Sequence, residues 1–194
     1  MKIKKFNELF ESTENPEDIY NPVPTTKTKE GKILIISDNE CNDVELLYPL
    51  YRFVEEGYEV TVSSIEGGKI TGYNSAFLED TVSINEINPK DFIALYLPGG
   101  KAPAKLKMNK QVIEIVKDFY FSKKPIGAIC HGTEILIEAE ITKEKNLTAW
   151  FDLEDKVNQN YNYINKSVVV DGNIITSRMP GDLPNNLSEF TKKL

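Results

Sequence analysis

Cys130 and His131 stand side by side in "PIGAICHGTE", in a chain that has 2 cysteines and 1 histidine. A thiol beside an imidazole pairs a nucleophile with a proton acceptor, which is what covalent catalysis by cysteine requires. The flanking residues suit that use. "KPIGAIC" is an apolar run of strand length, "GTEILIEAE" has helical spacing, and Gly132 allows the close approach that a tight strand-to-helix turn demands. Ala128, Cys130 and Gly132 make a small-x-nucleophile-x-small pattern. A thiol at such an elbow faces free N–H groups and the positive end of a helix, both of which favour the thiolate. The plainer alternative is a buried cysteine that fills space as a small hydrophobe.

Two further stretches offer groups that such a thiol would need. In "YLPGGKAP", two glycines directly after a buried run leave backbone N–H groups uncovered, as an oxyanion hole requires; Gly99 or Gly100 supplies one donor and the His131 amide another. In "SDNECNDVELLYPL", Glu45 lies in the first turn of an expected helix, off the apolar stripe of Leu46, Leu47, Leu50, Phe53 and Val54. Pro49 cannot donate to the Glu45 carbonyl, so the turn is loosened there. Compensation of the helix dipole explains a glutamate at this place equally well. With one histidine in the chain, the arrangements that draw on a distant downstream histidine, papain-like enzymes and the glutaminase half of class I amidotransferases, are excluded. The proton carriers left to the thiol are His131 and Glu45.

The elements that must position these residues follow from periodicity. "KILIIS" is a strand, "DVELLYPLYRFVEEG" a helix and "YEVTVSS" a strand, together one βαβ unit. "GKITGYNSAFLEDTVSI" reads as a small hairpin excursion. "FIALYLPGG", "KPIGAIC" and "SVVVDGNIITS" are further runs, separated by the helical "NKQVIEIVKDFYFSK" and "GTEILIEAE", and "GDLPNNLSEFTKKL" closes the chain. Buried strands alternating with helices predict a mostly parallel sheet covered on both faces, a doubly wound α/β/α sandwich. Ligands of such sheets bind beyond the carboxyl ends of the strands, where "SDNECND", "PGG" and "CHG" all fall.

Composition sets the outer bounds. A length of 194 residues, 40% hydrophobic and 27% charged, suits one domain, expected over residues 32–194, preceded by an arm over residues 1–31. Within the arm, Ile3, Phe6, Leu9 and Phe10 form a short amphipathic pattern, and "ESTENPEDIYNPVPTTKTKEG" is rich in Pro, Thr, Asn and charge. No apolar stretch is long enough to span a membrane and no secretory signal pattern opens the chain, so a cytoplasmic protein is expected. A net charge of -7 with scattered lysines argues against nucleic-acid partners. No paired Cys/His spacing offers a metal site, and no metal or organic cofactor is expected.

Taken together, "NECNDVELLYPLYRFVEEGYEVTVSS", "ALYLPGGKAP", "KPIGAICHG" and "VVVDGNIITSRMPGDLP", in this order over residues 32 to about 190, resemble the ThiJ/PfpI superfamily, most closely its PfpI branch. The resemblance implies a flavodoxin-like sandwich of the class I glutamine amidotransferase-like kind and a homo-oligomer, at least a dimer. It implies Cys130 as nucleophile, Glu45 as the helix glutamate facing it, His131 as its neighbour, and Gly99 and Gly100 by the oxyanion site. Arg178 matches an arginine near the family's site, and Trp150 falls where the branch has a tyrosine lining the pocket. Three features depart from the pattern. Where protease-like members carry a glutamate that orients the histidine across a subunit contact, this chain has Ala104, which weakens the histidine as a base. Cys41 replaces an aromatic residue, and the arm is additional.

The resemblance thus implies an enzyme in which Cys130 adds to the carbonyl of a 2-oxoaldehyde or an early glycation adduct and Glu45, with a raised pKa, shuttles the proton. The alternatives are a redox sensor or chaperone-like stress protein, in which Cys130 is oxidised without turnover, and an intracellular cysteine peptidase. Cys41, four residues before Glu45, either fills the space of the missing aromatic ring or acts as a resolving thiol for Cys130.

Overall fold

The computed structural model describes residues 20–22, 29–154 and 161–194. Most of the expected arm, including its amphipathic segment, lies outside the described residues. Strand β1 (Lys32–Ile36) is the continuous apolar run of the sequence and is buried along almost its whole length. It pairs in parallel with β2 (Glu59–Ser64) on one side and β5 (Ala94–Leu97) on the other. Beyond β5 lie β6 (Ile126–Ile129) and β10 (Ile174–Ser177), both parallel, and beyond β2 lies β4 (Phe77–Ser83). Antiparallel β3 (Gly68–Thr71) and β9 (Val169–Asp171) close the edges of the eight-stranded sheet, in the order β3-β4-β2-β1-β5-β6-β10-β9. "SVVVDGNIITS" is thus two strands, turning at Gly172 with φ +65°. A two-stranded ladder of β7 (Asn146–Leu147) and β8 (Asn162–Tyr163) stands apart.

Burial of β5 and β6 at all four positions requires helices on both faces. Helix α1 (Asp43–Glu55) and the closing helix α5 (Leu183–Thr191) pack together; a short α2 (Ala102–Leu106), α3 (Lys110–Phe121) and α4 (Thr133–Glu138) form a second group. Phe53, Tyr96 and Phe190, with ring centroids 5.2–5.7 Å apart, fasten α1 and α5 to β5. Each of these rings is fully buried, and removing one costs about 3–5 kcal/mol in a well-packed core. That packing holds rigid the helix that carries Glu45. Among the described residues no helix is long and apolar enough to cross a membrane.

Strand β1 lies between β2 and β5, so the chain turns to opposite sides after β1 and after β5, and the loops that follow the two strands meet at the carboxyl edge through the Cys41–Gly100 backbone bridge. The loop after β6 opens on the same edge. The expected doubly wound sandwich is therefore present, and the three junctions meet.

Candidate functional site

Strand β6 ends at Ile129, and Cys130 follows with φ +58°, a left-handed conformation that a side chain adopts only when its surroundings enforce it. The chain then passes through a 3₁₀ turn, Cys130–Gly132, directly into α4. Gly132 makes this possible: a Cβ there would lie 2.2 Å from the carbonyl oxygen of Leu97 at the end of β5. The elbow holds the Cys130 side chain at the sheet edge, 6% exposed.

Asn42 caps α1 by accepting from the Val44 and Glu45 amides, and Glu45 in its first turn is completely buried. Glu45 Oε2 accepts from Gly99 N–H at 2.8 Å, whereas Oε1 has no hydrogen-bond partner among the described residues. A Cβ at Gly99 would fall 2.5 Å from Oε2 and 2.7 Å from Cys130 Cβ, so only glycine lets the carboxyl and the thiol meet here. Desolvation raises the Glu45 carboxyl to about 7, against the pull of its bonds to Gly99 N–H and to the thiol. The raised value agrees with the sequence expectation of a carboxyl facing a thiol in a dry pocket.

The thiol itself departs from expectation. Burial, then the nearby Glu45 charge, push Cys130 up to about 12, although the N–H groups of His131 and Gly100 pull it down. A six-residue helix supplies little dipole, and desolvation wins. The resting group is a thiol and needs a base to become a nucleophile. Of the two glycines proposed as oxyanion donors, Gly100 directs its N–H to the sulfur; that of Gly99 is taken by Glu45.

His131 lies over the elbow with Nδ1 3.4 Å from Cys130 Sγ. Its Nε2 faces the Asp152 carboxylate, 3.2 Å from Oδ1 and 3.3 Å from Oδ2. The Trp150 ring stands 6.2 Å from the imidazole, centroid to centroid. The Arg178 guanidinium is bound to Asp182 through Nε at 2.8 Å and Nη2 at 3.1 Å, and to Asn165 at 2.7 Å. It follows β10, next to β6, at the same sheet edge, and its bonds to Asp182 tie the β10–α5 loop together.

Three site residues escaped sequence reasoning: Asp152, Tyr73 and Asp43. Asp43, buried at the start of α1, accepts from the amides of Asn74 and Ala76 at 2.9 and 2.8 Å and so clamps the β3–β4 turn onto the helix. The Tyr73 hydroxyl accepts from Asn42 Nδ2 at 2.9 Å. Desolvation raises the Tyr73 phenol, and the Glu45 and Cys130 charges add to the rise. The turn residues "GYNS" were the one available signal. Cys41 is fully buried in the core, its backbone bridged to Gly100, with burial raising its thiol to about 11. Both thiols are free.

A strained cysteine at a strand-to-helix elbow, faced by a buried glutamate from the helix after β1, is the candidate site of this α/β/α sandwich. The family profile of the DJ-1/PfpI family matches residues 31–193, and the chain belongs to that family. It is 43% identical over 164 residues to "Deglycase PfpI" of Pyrococcus furiosus, covering 84% of this chain and 99% of that protein. It is 35% identical over 157 residues to "Protein/nucleic acid deglycase 2" of Escherichia coli, covering 79% of this chain and 91% of that protein. The crystal structure of Drosophila melanogaster DJ-1beta superposes with a TM-score of 0.79 at 23% identity, covering 85% of this chain and 91% of that one, a likeness of fold.

Proposed function

We propose that the protein is a cysteine-dependent, cofactor-independent deglycase acting on 2-oxoaldehydes and their early adducts with amines. The observation that carries this reading is the fully buried Glu45 carboxyl, lifted to about 7, against the Cys130 thiol. Near neutrality about half of it is protonated, so it can both give and take a proton within one catalytic cycle. The deglycase names of the relatives support the same substrate class.

The chemistry follows from the groups present. His131 takes the Sγ proton and the sulfur bonds to the aldehyde-derived carbon of the adduct, while the C–N bond breaks and the amine leaves with a proton from Glu45. The product is a hemithioacetal beside a ketone. Glu45, now a carboxylate, removes the proton from the hemithioacetal carbon and returns it to the neighbouring carbon, while the hemithioacetal hydroxyl proton passes to the former ketone oxygen, which leaves a 2-hydroxy thioester. Water then cleaves the thioester, releasing a 2-hydroxy acid and restoring the thiol. Free 2-oxoaldehyde enters at the hemithioacetal, with no amine to expel. Atoms balance with water alone, and no oxidant or reductant is consumed. The Gly100 and His131 N–H groups face the sulfur and stabilise charge that develops beside it.

The test sets methylglyoxal, a methylglyoxal-treated amino acid and a chromogenic peptide before wild type and Cys130→Ala. The reading expects a 2-hydroxy acid from the first two with wild type and none with the variant. Cleavage of the peptide alone would replace it with a peptidase, and no turnover of any of the three would remove the enzymatic reading in favour of a redox or chaperone-like role.

A further inference from the structure

The glutamate that orients the histidine in protease-like members is Ala104 here, yet His131 has a carboxylate partner from its own chain. We infer that Asp152 is the positioning residue of the thiol–imidazole pair, completing a Cys130–His131–Asp152 relay within one protomer. This rests on the reading of Cys130 as the nucleophile.

The geometry is that of a relay. His131 Nδ1 is 3.4 Å from Sγ and Nε2 is 3.2–3.3 Å from both oxygens of Asp152, so the two ring nitrogens face the two partners a relay requires. With Nε2–H donated to the carboxylate, Nδ1 keeps its lone pair for the thiol proton. The imidazolium formed on proton transfer then lies against a negative charge.

Asp152 does not hang from a loose loop. Its 3₁₀ turn, Phe151–Leu153, is held on one side by Leu153, 1% exposed, and on the other by Ala149, 0% exposed. Thr148 N–H donates to Thr176 Oγ1 of β10 at 3.0 Å, and Thr133 Oγ1 of α4 donates to the Thr148 carbonyl at 3.4 Å. The segment bearing the carboxylate is therefore fastened to the same strand and helix that frame the elbow. Trp150, beside the imidazole, limits the ring's freedom on this side.

A base is needed because the resting thiol is protonated. In alkylation by iodoacetamide, the Sγ proton passes to His131 Nδ1, the S–C bond forms and iodide leaves. This reaction reports the relay without any natural substrate. Asp152 is about half exposed, so its removal should cost less than the roughly 10⁴-fold lost when a buried triad aspartate is replaced. An effect of about tenfold is expected on the Cys130 alkylation rate at neutral pH, and the same on kcat for glycated substrate with KM unchanged.

The experiment is a double-mutant cycle of His131→Ala and Asp152→Ala, with Cys130 alkylation followed by peptide mass spectrometry and turnover measured in parallel. If Asp152 acts through His131, Asp152→Ala is slow alone and adds nothing in the His131→Ala background. Wild-type rates in Asp152→Ala would overturn the proposal, as would an equal loss in both backgrounds, which marks a structural role. A wild type that turns nothing over while the alkylation cycle shows the coupling would refute the deglycase reading and leave the relay standing.

Discussion

Replacing Glu45 by glutamine should make the protein more stable at alkaline pH and no less well folded. In the fold the carboxyl titrates at about 7 instead of 4.5, because burial disfavours its charged form. Below the lower value the folded and unfolded chains both hold the proton, and the group contributes no pH dependence. Between the two values the unfolded chain releases its proton while the folded chain keeps it, so stability falls as pH rises. Above the upper value both are ionised and the whole difference is lost. At about 1.4 kcal/mol per pH unit, the rise is worth about 3 kcal/mol, a large share of a typical domain's stability. Glutamine keeps an oxygen for Gly99 N–H and never ionises, so the variant escapes the loss. The assay is urea unfolding of wild type and Glu45→Gln at about pH 4 and about pH 8. Other titrating groups are common to both proteins, and Cys130, at about 12, stays protonated throughout. The difference in unfolding free energy should move by about 3 kcal/mol in favour of Glu45→Gln between the two conditions. A flat difference, or one that moves towards wild type, would mean that the carboxylate is held charged at neutrality and would remove Glu45 as a proton carrier.

Three further outcomes follow from the geometry. Iodoacetamide at neutral pH should label Cys130 and spare Cys41, which is completely buried; peptide mapping that finds Cys41 labelled first would contradict the elbow assignment. Gly99→Ala should abolish Cys130-dependent turnover and cost about 1–3 kcal/mol by overpacking, read by activity and by urea unfolding, since the new Cβ would sit 2.5 Å from Glu45 Oε2. Asp43→Ala should cost about 2–4 kcal/mol by removing two carboxylate-to-amide hydrogen bonds, with faster hydrogen exchange at Asn74 and Ala76 marking release of the turn.

The sheet and the heart of the site were legible because both rest on local patterns. Apolar runs ending in Ser37, Pro98 and Cys130 identified the strands and which of their ends mattered, and Gly132 identified the elbow. The partner of Arg178 was not legible: its motif position follows from the fold, while its guanidinium is held by an aspartate four residues on. Asp152 was invisible because it meets His131 from 21 residues away through a short 3₁₀ turn, with no periodicity to reveal the meeting. The protonation of Cys130 was misjudged for a different reason. A helix start is written in the sequence, but the desolvation that outweighs it arises only when Glu45, Gly99 and Gly100 close around the sulfur. "SVVVDGNIITS" carried its turn in "DGN", and the continuous apolar content on either side concealed it.

Intact-protein mass spectrometry of Glu45→Gln exposed to methylglyoxal separates addition of the Cys130 sulfur from the proton transfer assigned to Glu45. With the thiol present and the proton shuttle removed, the hemithioacetal should form and stall, giving one added methylglyoxal per chain that peptide mapping places on Cys130 and that Cys130→Ala lacks. Adducts confined to lysine and arginine side chains, together with undiminished formation of 2-hydroxy acid by Cys130→Ala, would contradict the Cys130-dependent route.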